Sequence, residues 1–349
     1  MYSQRLNYLY RSPGPVAGGY GARGTGARPS AGEPTDYLQG VYYALLEGRY
    51  AFDFIHEDDL TADCLDRYAA VILPNTALLS DIQCAQLRAY ADRGGSLLAT
   101  FETSLYDHTG APRADFGLAD VFGMRRDGPA TGAFFNMSIE AAHDLTRGFG
   151  NTLWLPGGEW RVPVRASGAP VLKVVPPYPR GIPEMVYAHG RREMPYFGPR
   201  SAEPAVVLME RGRSRRVYFP GDVDRCAWRS GNTDFTLLLR NAVAWMLRDQ
   251  SSLVVEGEGM AEVIGWETEP GYAIHVINYN NPNRTRGWLR RPYPVGPQKV
   301  HLRLPAGTKV SKVELLKRGT EAPHRTSGEG IEFVIPGVED YEVAAVWRA

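Results

Sequence analysis

Beyond residue 252 the hydrophobic pattern settles into short runs that alternate apolar and polar residues to the end of the chain: AEVIGWE, YAIHVINY, QKVHLRL, KVELLK, IEFVIP and YEVAAVW. A period of two puts every second side chain on the same face, so each run reads as a strand with one buried side. Turn residues separate the runs and no helical stripe intervenes, which predicts an antiparallel β-sandwich over 251–349. The rest of the 349 residues must then build a second core, over 1–250.

In that first region strand-like and helix-like segments alternate, the pattern of a parallel sheet covered by helices. Residues 6–10 are expected as the first strand. The Gly- and Pro-rich stretch 14–34 is a loop, because so many glycines cannot offset the ordering entropy of a regular element. Leu38, Val41, Tyr42 and Leu45 fall at i, i+3, i+4 and i+7, a helical stripe, and 51–55 is the second expected strand. AAVILPN is apolar enough for a strand covered on both faces. Ser80 and Gln83 have capping-box spacing, with Gly94 and Gly95 as the stop of the same helix. SLLATF is the next strand and ends at Glu102, Thr103 and Ser104. Residues 115–200, rich in Pro, Gly and aromatics, are assigned as irregular insertions. AVVLME and RRVYFPGD flank Arg211 and Gly212 in hairpin spacing, and Phe235, Leu238, Leu239, Ala242, Trp245 and Met246 mark a closing helix.

Charge is balanced, with 39 basic and 39 acidic residues, so bulk electrostatics point to neither nucleic acid nor an anionic membrane. No run approaches the ~18 apolar residues of a membrane span. Three scattered cysteines, Cys64, Cys84 and Cys226, make neither a disulfide framework nor a four-ligand zinc site; a reducing, cytoplasmic setting is the expectation. No H-E-x-x-H, P-loop, G-x-G-x-x-G or G-x-S-x-G motif stands in its required context, and the spacing of Gly18 to Gly26 is irregular for a phosphate cradle. Neither cofactor nor metal is expected.

The segment YAAVILPNTALLSDIQCAQLRAYADRGGSLLATFETSLYD resembles the amidotransferase-like domain known as the β-galactosidase trimerisation domain. The resemblance continues through RADFGLADVFG, RRVYFPGDVDRCAW and DFTLLLRNAVAWML, then into a C-terminal tail with HVINYNNPN and YPVGPQKVHLRLP. It implies a flavodoxin-like, class I glutamine amidotransferase-like parallel sheet with helices on both faces, followed by the antiparallel β-sandwich. Multidomain glycoside hydrolases carry this pair after a (β/α)8 barrel whose two carboxylates perform the sugar chemistry. No eight-fold βα series precedes the domain here. The implied partners are a second copy of the chain, or a (β/α)8 glycoside hydrolase on another polypeptide.

A working amidotransferase carries a nucleophilic cysteine on the tight turn after a central strand. Here that turn reads Phe101, Glu102, Thr103. Cys84 shares a helical face with Leu87 and Ala91 and reads as a core residue; Cys64 also reads as structural, and Cys226 alone falls at a strand end. Ligands of open parallel sheets gather outside the strand carboxyl ends. The candidates there are Glu102, Asp222 and Asp224 for catalysis, and His56, Glu57, Asp58, Thr103, Ser104, Arg225 and Trp228 for ligand binding. Two readings stand side by side: a pocket for sugar hydroxyls or a divalent cation, or Asp58 and Asp222 capping helices and pairing with Arg225 in a solvated rim, which is preferred. Glu102 is the favoured member of any pocket, because it takes the place of the missing nucleophile. Trp160, Tyr178, Tyr187, Tyr196, Phe197 and Trp228 could stack on a sugar face or fill core. Arg211, Arg213, Arg215 and Arg216 read as charges that keep a sheet edge soluble. Three functions follow: a non-catalytic accessory and oligomerisation module of a glycoside hydrolase system, a stand-alone carbohydrate-active hydrolase using the strand-end carboxylates, or a carbohydrate-binding protein without catalysis.

Overall fold

The computed structural model describes residues 1–11, 13, 33–150, 152, 154–176, 201–281 and 291–349. The Gly18–Gly26 stretch and the aromatics Tyr178, Tyr187, Tyr196 and Phe197 lie outside the described residues. Two compact units divide the chain: Met1–Val41 with Phe54–Asp249, and Tyr42–Asp53 with Gln250–Ala349.

In chain order the first unit begins with α1 (Gln4–Leu9), α2 (Pro34–Glu47, whose end belongs to the second unit), α3 (Ala62–Leu65), β1 (Ala70–Leu73), α4 (Asp81–Asp92) and β2 (Ser96–Thr100). It continues through α5 (Ala119–Phe122), β3 (Met124–Arg126), β4 (Thr131–Ile139), β5 (Trp154–Arg161), β6 (Val164–Ala166) and β7 (Leu172–Val175). A hairpin of β8 (Val207–Arg211) and β9 (Ser214–Phe219) leads to α6 (Val223–Ser230) and α7 (Thr233–Leu247).

The central sheet has the order β1-β2-β9-β8, with β1, β2 and β9 parallel and β8 antiparallel at the edge. It is therefore a mixed four-stranded sheet, smaller than the flavodoxin-like parallel sheet expected. Two anticipated strands account for the difference. Residues 6–10 fall in α1 instead, because the Glu57 carboxylate accepts from the backbone N–H groups of Gln4 and Arg5 and so satisfies the first helical turn. Residues 51–55 form no strand; Ile55 O accepts from Tyr2 N–H (2.8 Å), and a single parallel bridge joins Tyr2 to His56 just beyond them. Helices cover both faces of the sheet. α4 and α5 share a core with Val71, Leu73, Leu97, Ala99 and Tyr218, while α7 packs on β9, β2 and β1 and receives the Ser96 hydroxyl at Met246 O. Ser96 and Leu97 point to opposite sides by strand alternation, so α7 lies on the face away from α4.

The helix over 81–92 starts as its sequence dictates. Gln83 N–H donates to Ser80 Oγ (3.1 Å) and Ser80 N–H to Gln83 Oε1 (2.8 Å), a reciprocal box that stabilises the helix start by about 1 kcal/mol. At its far end Gly94 carries the positive φ (+108°), whereas Gly95 is required by the Tyr90 ring, which a Cβ there would strike.

The region 115–200 corrects the assignment of irregular insertions: up to residue 176 it holds α5, a β3-β6 pair and a β5-β4-β7 antiparallel sheet. The strand that hides is β5, WLPGGEWR, since Pro and paired Gly usually argue against a strand. Here a Cβ on Gly158 (φ +129°) would come within 2.4 Å of Asp222 Oδ1, and one on Gly157 would strike the Phe135 ring. Close packing on a neighbouring element, invisible locally, selects glycine at both positions. Of the arginines near the β8–β9 turn, Arg211 and Arg213 are exposed as expected, and the other two depart from expectation. Arg216 is buried and donates to Val121 O, and Arg215 lies over the Trp245 ring and donates to Trp245 O.

The second unit contains two antiparallel sheets. One is made of β10 (Leu253–Glu256), β13 (Gln298–Arg303), β17 (Gly330–Ile335) and β16 (His324–Ser327). The other has β11 (Ala261–Thr268), β12 (Gly271–Asn278), β18 (Tyr341–Arg348), β14 (Val310–Leu315) and β15 (Thr320–Glu321). The inward residues of both sheets, among them Val255, Val300, Phe333, Val263, Ile274, Val313 and Val346, form one core, as a sandwich requires. Residues 42–53, assigned to the first region from sequence, belong with this unit. Arg49 reaches Gln298 Oε1 and the carbonyls of Glu258 (2.8 Å) and Gly259 (2.7 Å), and Tyr42 OH donates to Glu262 (3.1 Å). No helix among the described residues is long and apolar enough to cross a membrane.

Candidate functional site

The carboxyl ends of β1, β2 and β9 deliver Asn75 and Thr76, then Glu102 to Ser104, then Asp222 to Arg225. One chain of hydrogen bonds joins the three ends. Asn75 N–H donates to Thr100 Oγ1 (2.7 Å), and the Thr100 hydroxyl donates to Asp224 Oδ2 (2.6 Å). In the other direction Asn75 Oδ1 accepts from Glu102 N–H (3.1 Å), and the Asn75 amide donates to Tyr10 OH (3.1 Å), which donates to Glu102 Oε2 (2.6 Å). Tyr106 OH approaches the second Glu102 oxygen at 3.4 Å. Deeper in, Asp222 Oδ1 accepts from Glu159 N–H (2.8 Å) and Trp160 N–H (3.0 Å), while Arg225 Nη1 lies 2.7 Å from Asp222 Oδ2 and 3.6 Å from Glu159.

Enclosure sets the electrostatics. Asp222, Asp224, Arg225 and Glu159 are all 0% exposed. Burial pushes Asp224 up to about 7 against the pull of the Thr100 hydroxyl and the Arg225 N–H. Burial also raises Glu102, with the Tyr10 and Tyr106 hydroxyls opposing it. The solvated rim preferred from sequence is therefore corrected: Asp222 does pair with Arg225, but out of water, and its side chain makes no cap for α6. Ionised groups in such a place are tolerated only when paired and hydrogen-bonded; Asp222, Asp224 and Arg225 are held in this way, although Arg225 Nε makes no hydrogen bond among the described residues.

Other candidates sit apart from the chain of bonds or serve as scaffold. His56 and Asp58 are on the outside, with Asp58 paired to Arg5 (2.7 Å); the helix-capping carboxylate is Glu57, not Asp58. Thr103 OH donates to the carbonyls of Leu73 and Thr100, and Ser104 Oγ accepts from Leu118 N–H, so both brace the turn. Trp228 is half-buried on α6, and Trp160 packs against the main core. The left-handed residue at the bend after β2 is Phe101 (φ 48°), its ring stacked on Tyr37 in the core; Glu102 is the residue after it. Cys226 is buried beside Asp222 (Sγ to Oδ1 3.5 Å) and its thiol is pushed well up by burial, while Cys84 is raised to about 11 for the same reason. Neither has a reactive environment. Among the described residues no group of three or more His, Cys, Asp or Glu is arranged to hold a metal ion.

Sequence reasoning missed Tyr10, Asn75, Thr100 and Glu159. Asn75 and Thr100 carried a signal, as polar residues at the ends of apolar strands; Tyr10 and Glu159 carried none.

No protein-family model and no curated protein matches the chain. Among solved structures it is similar to α-L-fucosidase isoenzyme 2 from Paenibacillus thiaminolyticus (TM-score 0.68, 20% identity, covering 90% of this chain and 45% of that one). It is also similar to the β-galactosidase from Bacillus circulans sp. alkalophilus (0.59, 14%, 91% and 38%) and to that from Rahnella sp. R3 (0.54, 14%, 89% and 36%). At these identities the likeness is one of fold. Nearly the whole chain matches, yet it spans less than half of each of these glycoside hydrolases.

Proposed function

We propose that this chain is a non-catalytic accessory and assembly module of a glycoside hydrolase system, working with a (β/α)8 catalytic chain or in a homo-oligomer. The single observation that carries this reading is the enclosure of the strand-end carboxylates. Asp222 and Asp224 are sealed from solvent and held by Arg225, Thr100 and backbone N–H groups, so these two carboxylates do not face a substrate across open space. The partial match to larger glycoside hydrolases supports it. Light scattering of the purified chain, alone and mixed with a separately produced barrel chain, tests the assembly; a monomer that ignores every such chain overturns it. Aryl α-L-fucosides and β-D-galactosides test the chemistry. Turnover by the chain alone that disappears in Glu102→Gln would favour a stand-alone hydrolase instead.

A second reading, carbohydrate binding without catalysis, is favoured by one contact. The Tyr10 hydroxyl sits between the Asn75 amide as donor and the Glu102 carboxylate as acceptor, the pair of partners that a sugar hydroxyl takes.

A further inference from the structure

We infer that the Tyr10 phenol is a plug in a hydroxyl-binding site formed by Glu102 and Asn75, and that residues 6–10 are a displaceable cover over it. This deepens the carbohydrate-binding reading and rests on it for the class of ligand, a sugar or other polyol.

The backbone around the site is unusual. Of the six non-glycine residues with left-handed φ among the described residues, three stand here: Asn75 (35°), Phe101 (48°) and Ser104 (66°). Such conformations are costly for residues with a Cβ and persist only where the surroundings enforce them. Asn75 N–H to Thr100, Glu102 N–H to Asn75 and Ser104 N–H to Thr76 O are those enforcing bonds. Their combined effect is to aim the Asn75 amide and the Glu102 carboxylate at one point, and Tyr10 OH occupies it. Next to Asn75, the buried Thr76 hydroxyl has no partner among the described residues.

The cover is lightly attached. α1 has six residues and buries only Leu6, far short of the length at which a helix is stable alone. Leu6 and Tyr10 pack with Ala77 and Leu78 in a small cluster separate from the main core. Tyr8 and Leu9 face solvent. At its start the segment is held by Glu57, which takes the N–H groups of Gln4 and Arg5 and the Ser3 hydroxyl, and by the Tyr2–His56 bridge, the Met1 ammonium on Ile72 O and the Arg5–Asp58 pair. The weakly held part is therefore its end, residues 6–10. A segment with so few buried contacts opens locally at a fraction of the global unfolding cost.

Hydrogen exchange followed by mass spectrometry on the unaltered chain tests the cover. Amides of residues 6–10 are expected to exchange at least 100-fold faster than those of residues 97–99; exchange of both only together, on global unfolding, overturns the plug whether or not any variant folds. The site is tested by saturation-transfer NMR with a panel of methyl hexopyranosides on Tyr10→Ala. Binding at least tenfold tighter than to the unaltered chain, and lost in Tyr10→Ala/Glu102→Gln, is the expected result. Absence of glycoside binding to a folded Tyr10→Ala overturns the site, even if p-cresol refills the hole. Glycoside binding to the unaltered chain that survives Glu102→Gln leaves the carbohydrate-binding reading standing and sinks the plug.

Discussion

At the strand ends of the first unit Asp222, Asp224, Arg225 and Glu159 are withdrawn from water together, whereas the sandwich fills its interior with Val, Leu, Ile and Phe and carries Lys299, His301, Arg325 and Glu332 on the outward side of β13, β16 and β17. Where those pairs reach solvent, as at Arg325, water replaces a lost partner at little cost, whereas the buried Glu342 of the same unit is held by the N–H groups of Lys317 and Val343 and resembles the acids of the first unit. In the first unit each carboxylate depends on a partner from a distant part of the chain: Asp222 on Glu159 N–H, Asp224 on Thr100, Glu102 on Tyr10. Polar groups there behave as core, and substitutions should expose that difference.

The largest effect is expected from Arg225→Ala, which strands two buried carboxylates; urea unfolding should show a loss of about 3–5 kcal/mol. The matching change in the sandwich, Arg325→Ala, removes an exposed ion pair to Glu332 and should leave the midpoint within error. Equal losses in the two variants would dissolve the contrast.

Titration sharpens it next. Asp224 has its folded pKa raised to about 7, so its contribution is fully present below the unfolded carboxylate value and is lost as pH rises through about 7. Glu332 is held down to about 2, chiefly by Arg325, so its contribution is present above the unfolded value and is lost as pH falls through about 2. Hydrogen exchange, corrected for the intrinsic rate, should therefore show β2 and α6 loosening from about pH 4 to 7 while β17 holds, and β17 losing protection only in acid. Asp224→Asn should flatten the first response.

Gly158→Ala is expected to cost about 2–3 kcal/mol, because it combines positive φ with a Cβ pressed against Asp222. Gly168→Ala, with positive φ but open space around it, should cost about 1 kcal/mol by thermal denaturation. At the helix start Ser80→Ala should remove about 1 kcal/mol or less, more than Arg325→Ala but less than Gly158→Ala.

What could be read in advance followed the range of the interactions. The Ser80–Gln83 box, the Arg211–Gly212 hairpin and the sandwich strands depend on neighbours within a few residues, so spacing alone announced them. α1 depends on Glu57, 52 residues away from Arg5, and was taken for a strand. β5 is obscured in the sequence by glycines whose reasons are the Phe135 ring for Gly157 and the Asp222 carboxylate for Gly158. The strand-end acids were placed at the right ends, but Tyr10 and Glu159, which decide that they are enclosed, come from segments with no local mark of that role.

The Arg49 clasp has a consequence for synthesis. Gln298, its partner, lies 249 residues further on, so at ribosomal speeds residues 42–53 would wait roughly 10–50 s before the strands they fasten emerge. Throughout that interval Arg49 and Tyr42 lack the groups of Gln298, Glu258, Gly259 and Glu262 that they bind in the finished fold.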